Sequence, residues 1–121
     1  MTQGDREALV RAVRTALEQT HAEYALMPFF VRPMVRRGFA KRTGHDLAGW
    51  QRMLDAVARG EPTAELRAAL DRLAAHYDTA PERAKRGMGA GLAARPDELR
   101  EVERPSQDRA AAVRALARSL R

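Results

Sequence analysis

Pro28-Phe29-Phe30-Val31-Arg32-Pro33-Met34-Val35-Arg36-Arg37-Gly38-Phe39-Ala40-Lys41-Arg42 holds all three phenylalanines of the 121-residue chain, five basic side chains and no acid. Wound as an α-helix, Phe30, Val31, Met34, Val35, Gly38 and Phe39 fall on one half of the circumference. Arg32, Arg36 and Arg37 fall on the other half with Pro33 and Ala40. Pro33 lies in the first turn or so after Pro28, where a missing N–H costs little. Gly38 costs about 1 kcal/mol inside a helix and is tolerable where a neighbouring helix packs closely. The pattern predicts a helix whose apolar half joins a core and whose outer half presents cations.

The flanking sequence repeats this 3–4 residue spacing. Upstream, Asp5 suits the cap of a helix reaching about residue 26, with Leu9, Val13, Ala16, Leu17 and Tyr24 on one stripe and His21 at its boundary. Downstream, Thr43-Gly44-His45-Asp46 reads as a stop and a restart. Gly44 suits the left-handed position after a helix, and Asp46 suits the next N-cap. A helix over 47–59 then places Leu47, Trp50, Met53, Leu54 and Val57 inward, and Gly60-Glu61-Pro62 ends it. Thr63 is placed to cap a fourth helix over 64–77, with Leu66, Ala69, Leu70, Leu73 and Tyr77 inward.

After Asp78 the texture changes. Residues 79–105 hold Pro81, Pro96, Pro105, Gly87, Gly89 and Gly91 and few large apolar side chains, so they read as a flexible linker with short helical turns near 81–86 and 96–103. Ser106 is then placed to cap a basic amphipathic helix over 107–120, with Val113, Leu116, Ala117 and Leu120 on a narrow stripe. No strand pattern and no repeat is present. The expected fold is all-α: a small four-helix bundle over 1–78, a linker over 79–105 and a C-terminal helix over 106–121. Composition agrees, because Ala, Leu, Arg and Glu dominate and Ile is absent.

Composition also excludes function classes. There is no Cys, hence no disulfide, thiolate metal site or cysteine nucleophile. No apolar run approaches the roughly 20 residues of a membrane span. The first residues, Met1-Thr2-Gln3-Gly4-Asp5-Arg6-Glu7, lack the layout of a signal peptide. A soluble cytoplasmic protein is therefore expected. The net charge of +6 favours an acidic partner, although 20 Arg against 2 Lys also matches a GC-rich coding bias.

No catalytic constellation emerges. His21, His45 and His76 are far apart, and His45-Asp46 reads as a turn with a cap. Gly87-Met88-Gly89-Ala90-Gly91 follows no strand, so it reads as linker rather than phosphate loop. A non-enzymatic protein without cofactor or metal is expected. The candidate binding residues are Arg32, Arg36, Arg37, Lys41 and Arg42 on the outer face, with Arg52 beyond the turn. Two readings fit them. One is a basic accessory or adaptor module that recognises an acidic protein partner. The alternative is a nucleic-acid binder of helix-turn-helix type, with Ala40 on the compact helix, Gly44 four residues on in the turn, and Leu47, Trp50 and Met53 packing the second helix. That second helix offers only Ala48, Gly49, Gln51 and Arg52 outward, a thin set for base edges.

Pro28, Phe30, Val31, Arg32, Val35, Arg36 and Gly44 form a pattern that resembles the small C-terminal helical domain of the light-independent protochlorophyllide reductase B subunit and its free-standing relatives. The resemblance spans residues 28–44. It implies a small accessory module attached to a larger reductase-like assembly, and it carries over no catalytic residue.

Overall fold

The computed structural model describes residues 3–61, 64–83 and 96–120, with side chains in the last segment described from residue 103. The fold is all-α, and among the described residues there is no strand. Five long helices follow in order: α1 (Gln3–Ala25), α2 (Arg32–Thr43), α3 (Leu47–Ala58), α4 (Leu66–Asp78) and α5 (Pro96–Ser119). A single helical turn covers 80–83. No helix among the described residues is long and apolar enough to cross a membrane.

Helices α1 and α4 supply most of the core. Val10, Val13, Ala16 and Leu17 of α1 and Leu66, Ala69, Leu70, Leu73, Ala74 and Tyr77 of α4 are all buried in one cluster. Helix α5 lies against both and adds Ala110, Val113 and Leu116. Helix α2 also touches both and adds Phe39, while α3 packs chiefly on α1 through Trp50, Leu54 and Val57. The core is thus shared by five helices rather than four. The apolar stripes expected for α1, α3 and α4 are the buried ones, with Leu9, Tyr24, Leu47 and Met53 at their margins.

Thr20 of α1 and Tyr77 of α4 are buried polar groups that satisfy each other. The Thr20 hydroxyl donates to Ala16 O at 2.7 Å and meets the Tyr77 hydroxyl at 2.8 Å. Burial pushes the Tyr77 phenol up to about 12, so it stays neutral and serves as a hydrogen-bonding group.

The α2–α3 corner forms as its residues dictate. Gly44 adopts φ +90°, and its N–H closes onto Ala40 O at 2.8 Å. The Asp46 carboxylate caps α3 by accepting from Gly49 N at 2.8 Å. Trp50 Nε1 donates to Thr43 Oγ1 at 3.0 Å, which ties the last turn of α2 to the first of α3. From α4, the Arg72 guanidinium lies over the glycine and reaches the Thr43 carbonyl at 3.4 Å. A Cβ on Gly44 would sit 3.0 Å from an Arg72 terminal nitrogen in a left-handed backbone. Gly44→Ala should therefore cost about 1–2 kcal/mol in urea unfolding, and a loss under about 0.5 kcal/mol would show that the corner relaxes.

Three expectations are corrected. First, the apolar half of 28–42 does not join the core as a unit. Pro28 opens a turn, with Val31 N and Arg32 N both bonding back to Pro28 O, so α2 begins only at Arg32. Phe29 and Phe30 sit in that turn and are 78% and 70% exposed; Met34 is 65% exposed, and only Phe39 is buried. Second, α4 starts at Leu66, with Glu65 at the cap position and no side-chain cap. Thr63, expected as that cap, lies outside the described residues. Third, the C-terminal helix does not begin at Ser106. It is already formed at Pro96 and runs through Pro105. Ser106 is a buried residue inside it. Pro105 lacks an N–H for the ladder, and packing of Ala110, Val113 and Leu116 against α1 and α4 outweighs that loss. Residues 84–95, the middle of the expected linker, lie outside the described residues.

Candidate functional site

The turn between α1 and α2 sets up an unusual surface. Leu26 is 87% exposed, and the exposed Phe29 and Phe30 rings that follow it in the chain meet edge to face with centroids 5.7 Å apart. Arg32 folds back across the turn and donates from Nε to Met27 O at 2.8 Å. It therefore braces the turn and is half-buried, while keeping its charge beside the aromatic pair. Arg36, Arg37 and Lys41 follow on α2 and are exposed. Among the described residues none of these three has a carboxylate partner. The field of Arg36 reaches His21, whose pKa is lowered mainly by burial and further by that charge.

Arg42 behaves differently. Its side chain lies back over Gly38, and its Nε donates to His76 Nδ1 at 3.2 Å. Arg83, from the turn after α4, approaches the same imidazole nitrogen at 3.1 Å and donates to the His76 carbonyl at 2.7 Å. Burial first, then these two guanidinium groups, push the His76 pKa down to about 3. The ring is thus neutral, with Nδ1 free of a proton and able to accept. Its edge also meets Phe39, with centroids 5.1 Å apart.

Arg42, Arg83 and His76 stand on the wall of a solvent-open cavity of about 740 Å³ lined by α1, α2, α4 and α5. Its remaining surface is mostly apolar, with Tyr24, Met27, Val31, Met34 and Val35 prominent. Arg109 of α5 also lines it and pairs with Glu23 of α1 at 2.7 Å.

Of the residues expected to bind, the structure keeps Arg32, Arg36, Arg37, Lys41 and Arg42 on one helix; Arg42 is exposed, and its side chain lies back along α2 at the edge of the cavity. Arg52 is exposed on α3, which packs chiefly on α1. On α3, Gln51 and Asp55 are both engaged by Arg14 of α1. Sequence reasoning missed His76, Arg83 and the Glu23–Arg109 pair. His76 gave one readable signal: it precedes Tyr77 on a helix whose inward stripe leaves little room for a polar neighbour.

Among the described residues no group of three His, Asp or Glu converges on a point that a metal ion would occupy. Comparisons with protein-family models, with curated proteins and with solved structures return no match.

Proposed function

We propose that this chain is a non-catalytic, basic helical accessory module that docks an acidic segment of a partner protein. The observation that carries this reading is the surface of residues 26–37, where Leu26, Phe29, Phe30 and Met34 are 65–87% exposed beside Arg32, Arg36 and Arg37. Large apolar side chains clustered on a surface have a free-energy cost in water that a partner relieves. Arginines without a carboxylate partner select a partner that alternates apolar and acidic residues, as the acidic amphipathic helix does. The resemblance of residues 28–44 to the accessory domain of a reductase subunit points the same way. Direct readout of DNA by α3 has less behind it, since Arg14 occupies Gln51 and Asp55 and leaves Arg52 as the main outward cation.

The test is fluorescence anisotropy with a labelled helical peptide bearing Leu and Phe on one face and Glu on the other. Binding at about micromolar Kd is expected, weakened roughly tenfold or more by Phe30→Ser and by Arg36→Glu. Both residues are exposed, so the variants should fold. Random duplex DNA is titrated in parallel at about 50 mM salt. DNA binding with a steep salt slope, reduced by replacing Arg36 and Arg37 with Ala, would move the function to nucleic acid. Failure of the wild type to bind the peptide would overturn the adaptor reading.

A further inference from the structure

We propose that the cavity between α1, α2, α4 and α5 binds a small amphiphile, an anionic headgroup on an aliphatic chain, with the headgroup held by Arg42 and the chain on Met27, Val31 and Val35. This goes beyond the docking of a partner protein and does not depend on it.

The volume comes first. About 740 Å³ falls within the roughly 300–1,000 Å³ usual for ligand pockets. The lining is mostly apolar side chains, which supply the burial, and its few polar groups gather at the α2–α4 wall.

The headgroup assignment rests on Arg42. Its Nε is committed to His76, and its two terminal nitrogens have no acceptor among the described residues. No carboxylate there pairs with it either. A guanidinium held at Nε presents its two terminal NH2 groups as a fork, the geometry that a carboxylate, sulfate or phosphate takes in two parallel hydrogen bonds. The other cations of the lining are engaged elsewhere: Arg109 pairs with Glu23 through a terminal nitrogen, although its buried Nε has no partner among the described residues, and Arg83 donates to Thr79 and to the His76 carbonyl.

The fork is also positioned. Gly38 leaves the α2 backbone bare, and the Arg42 guanidinium lies there: a Cβ on Gly38 would be 3.0 and 3.2 Å from its terminal nitrogens. A glycine that carries a helix-interior penalty thus has a use, since it seats the guanidinium at the cavity wall. His76 fixes the other side, as a neutral acceptor for Nε.

The test uses isothermal titration of the full chain with decanoate, decyl phosphate and decanol. The two anions should bind saturably, and decanol at least about tenfold more weakly, because only the anions engage the fork. Arg42→Gln should bring the anions down to the decanol level and leave decanol unchanged. Gly38→Leu should displace the guanidinium and occupy the cavity, abolishing binding of all three, while circular dichroism shows the helices retained. Preference for decanoate over decyl phosphate would identify a carboxylate as the physiological headgroup, and the reverse preference a phosphate. Equal binding of decanol and the anions, unchanged anion binding by Arg42→Gln, or no saturable binding below about 1 mM would overturn the proposal. The acidic-peptide experiment turns on Phe30 and Arg36, which do not line the cavity, so the two results fail separately.

Discussion

Trp50→Ala should lower the unfolding free energy by about 3–5 kcal/mol, the largest loss expected from any single truncation in this chain. Trp50 is the largest fully buried side chain, at 0% exposure, and the only tryptophan. Its removal leaves a void among buried residues that surrounding helices refill only in part. It also removes the Nε1 donor to Thr43 Oγ1, so the last turn of α2 loses its tie to α3. A domain of this size is stable by roughly 5–15 kcal/mol, so the variant should be marginal at room temperature. Trp50→Phe serves as a control. It keeps an aromatic ring, loses the N–H and should cost about half as much. Urea unfolding followed by far-ultraviolet circular dichroism measures both. A Trp50→Ala loss under about 1 kcal/mol would mean that the α2–α3 corner is not anchored by this side chain.

The second large effect is on acid stability. In the unfolded chain His76 takes up its proton near 6.5, whereas in the folded protein it does so only near 3. Between those values the unfolded state binds more protons, so stability rises with pH across this window and falls on acidification. The slope attributable to His76 is at most about 1.4 kcal/mol per pH unit. Burial is the main cause. Arg83 in the turn after α4, Arg42 on α2 and His21 on α1 add repulsion. His21 contributes in the same direction, since its pKa is also lowered. His76→Gln keeps a hydrogen-bond acceptor and removes the titration. Wild-type and variant curves of unfolding free energy against pH should diverge between about 6 and 4, with the wild type steeper. Parallel curves would show that His76 titrates normally in the folded protein.

Much of the fold is legible in the sequence, and the reason is local. Gly44 and Asp46 stop one helix and start another by backbone rules acting within a few residues, and both do so in the structure. The stripes through Leu54 and Val57, and through Leu66, Leu70, Leu73 and Tyr77, are periodic enough to fix which face is buried. The same logic failed at Phe30. Periodicity assigned it to the inward face of a helix that does not yet exist at that position, because Pro28 organises a turn instead. It failed again at Pro105, where a strong local stop signal is overridden by packing from helices far away in sequence. The cavity was out of reach for a related reason. Its wall joins Arg42, His76 and Arg83 from three separate segments, and no spacing along the chain encodes that meeting.

The side-by-side packing of α1 and α5 has a consequence for how the chain reaches this state. Arg109 bridges to Glu23 across 86 positions, and Ala110, Val113 and Leu116 close the groove between the first helix and the fourth. The earliest helix of the chain is thus completed by the latest. Such long-range closure raises contact order and slows folding relative to a bundle of sequential neighbours. On a ribosome, α1 to α4 would emerge with their inner faces still uncovered, and the protein would settle only after the last turn of α5 had been made.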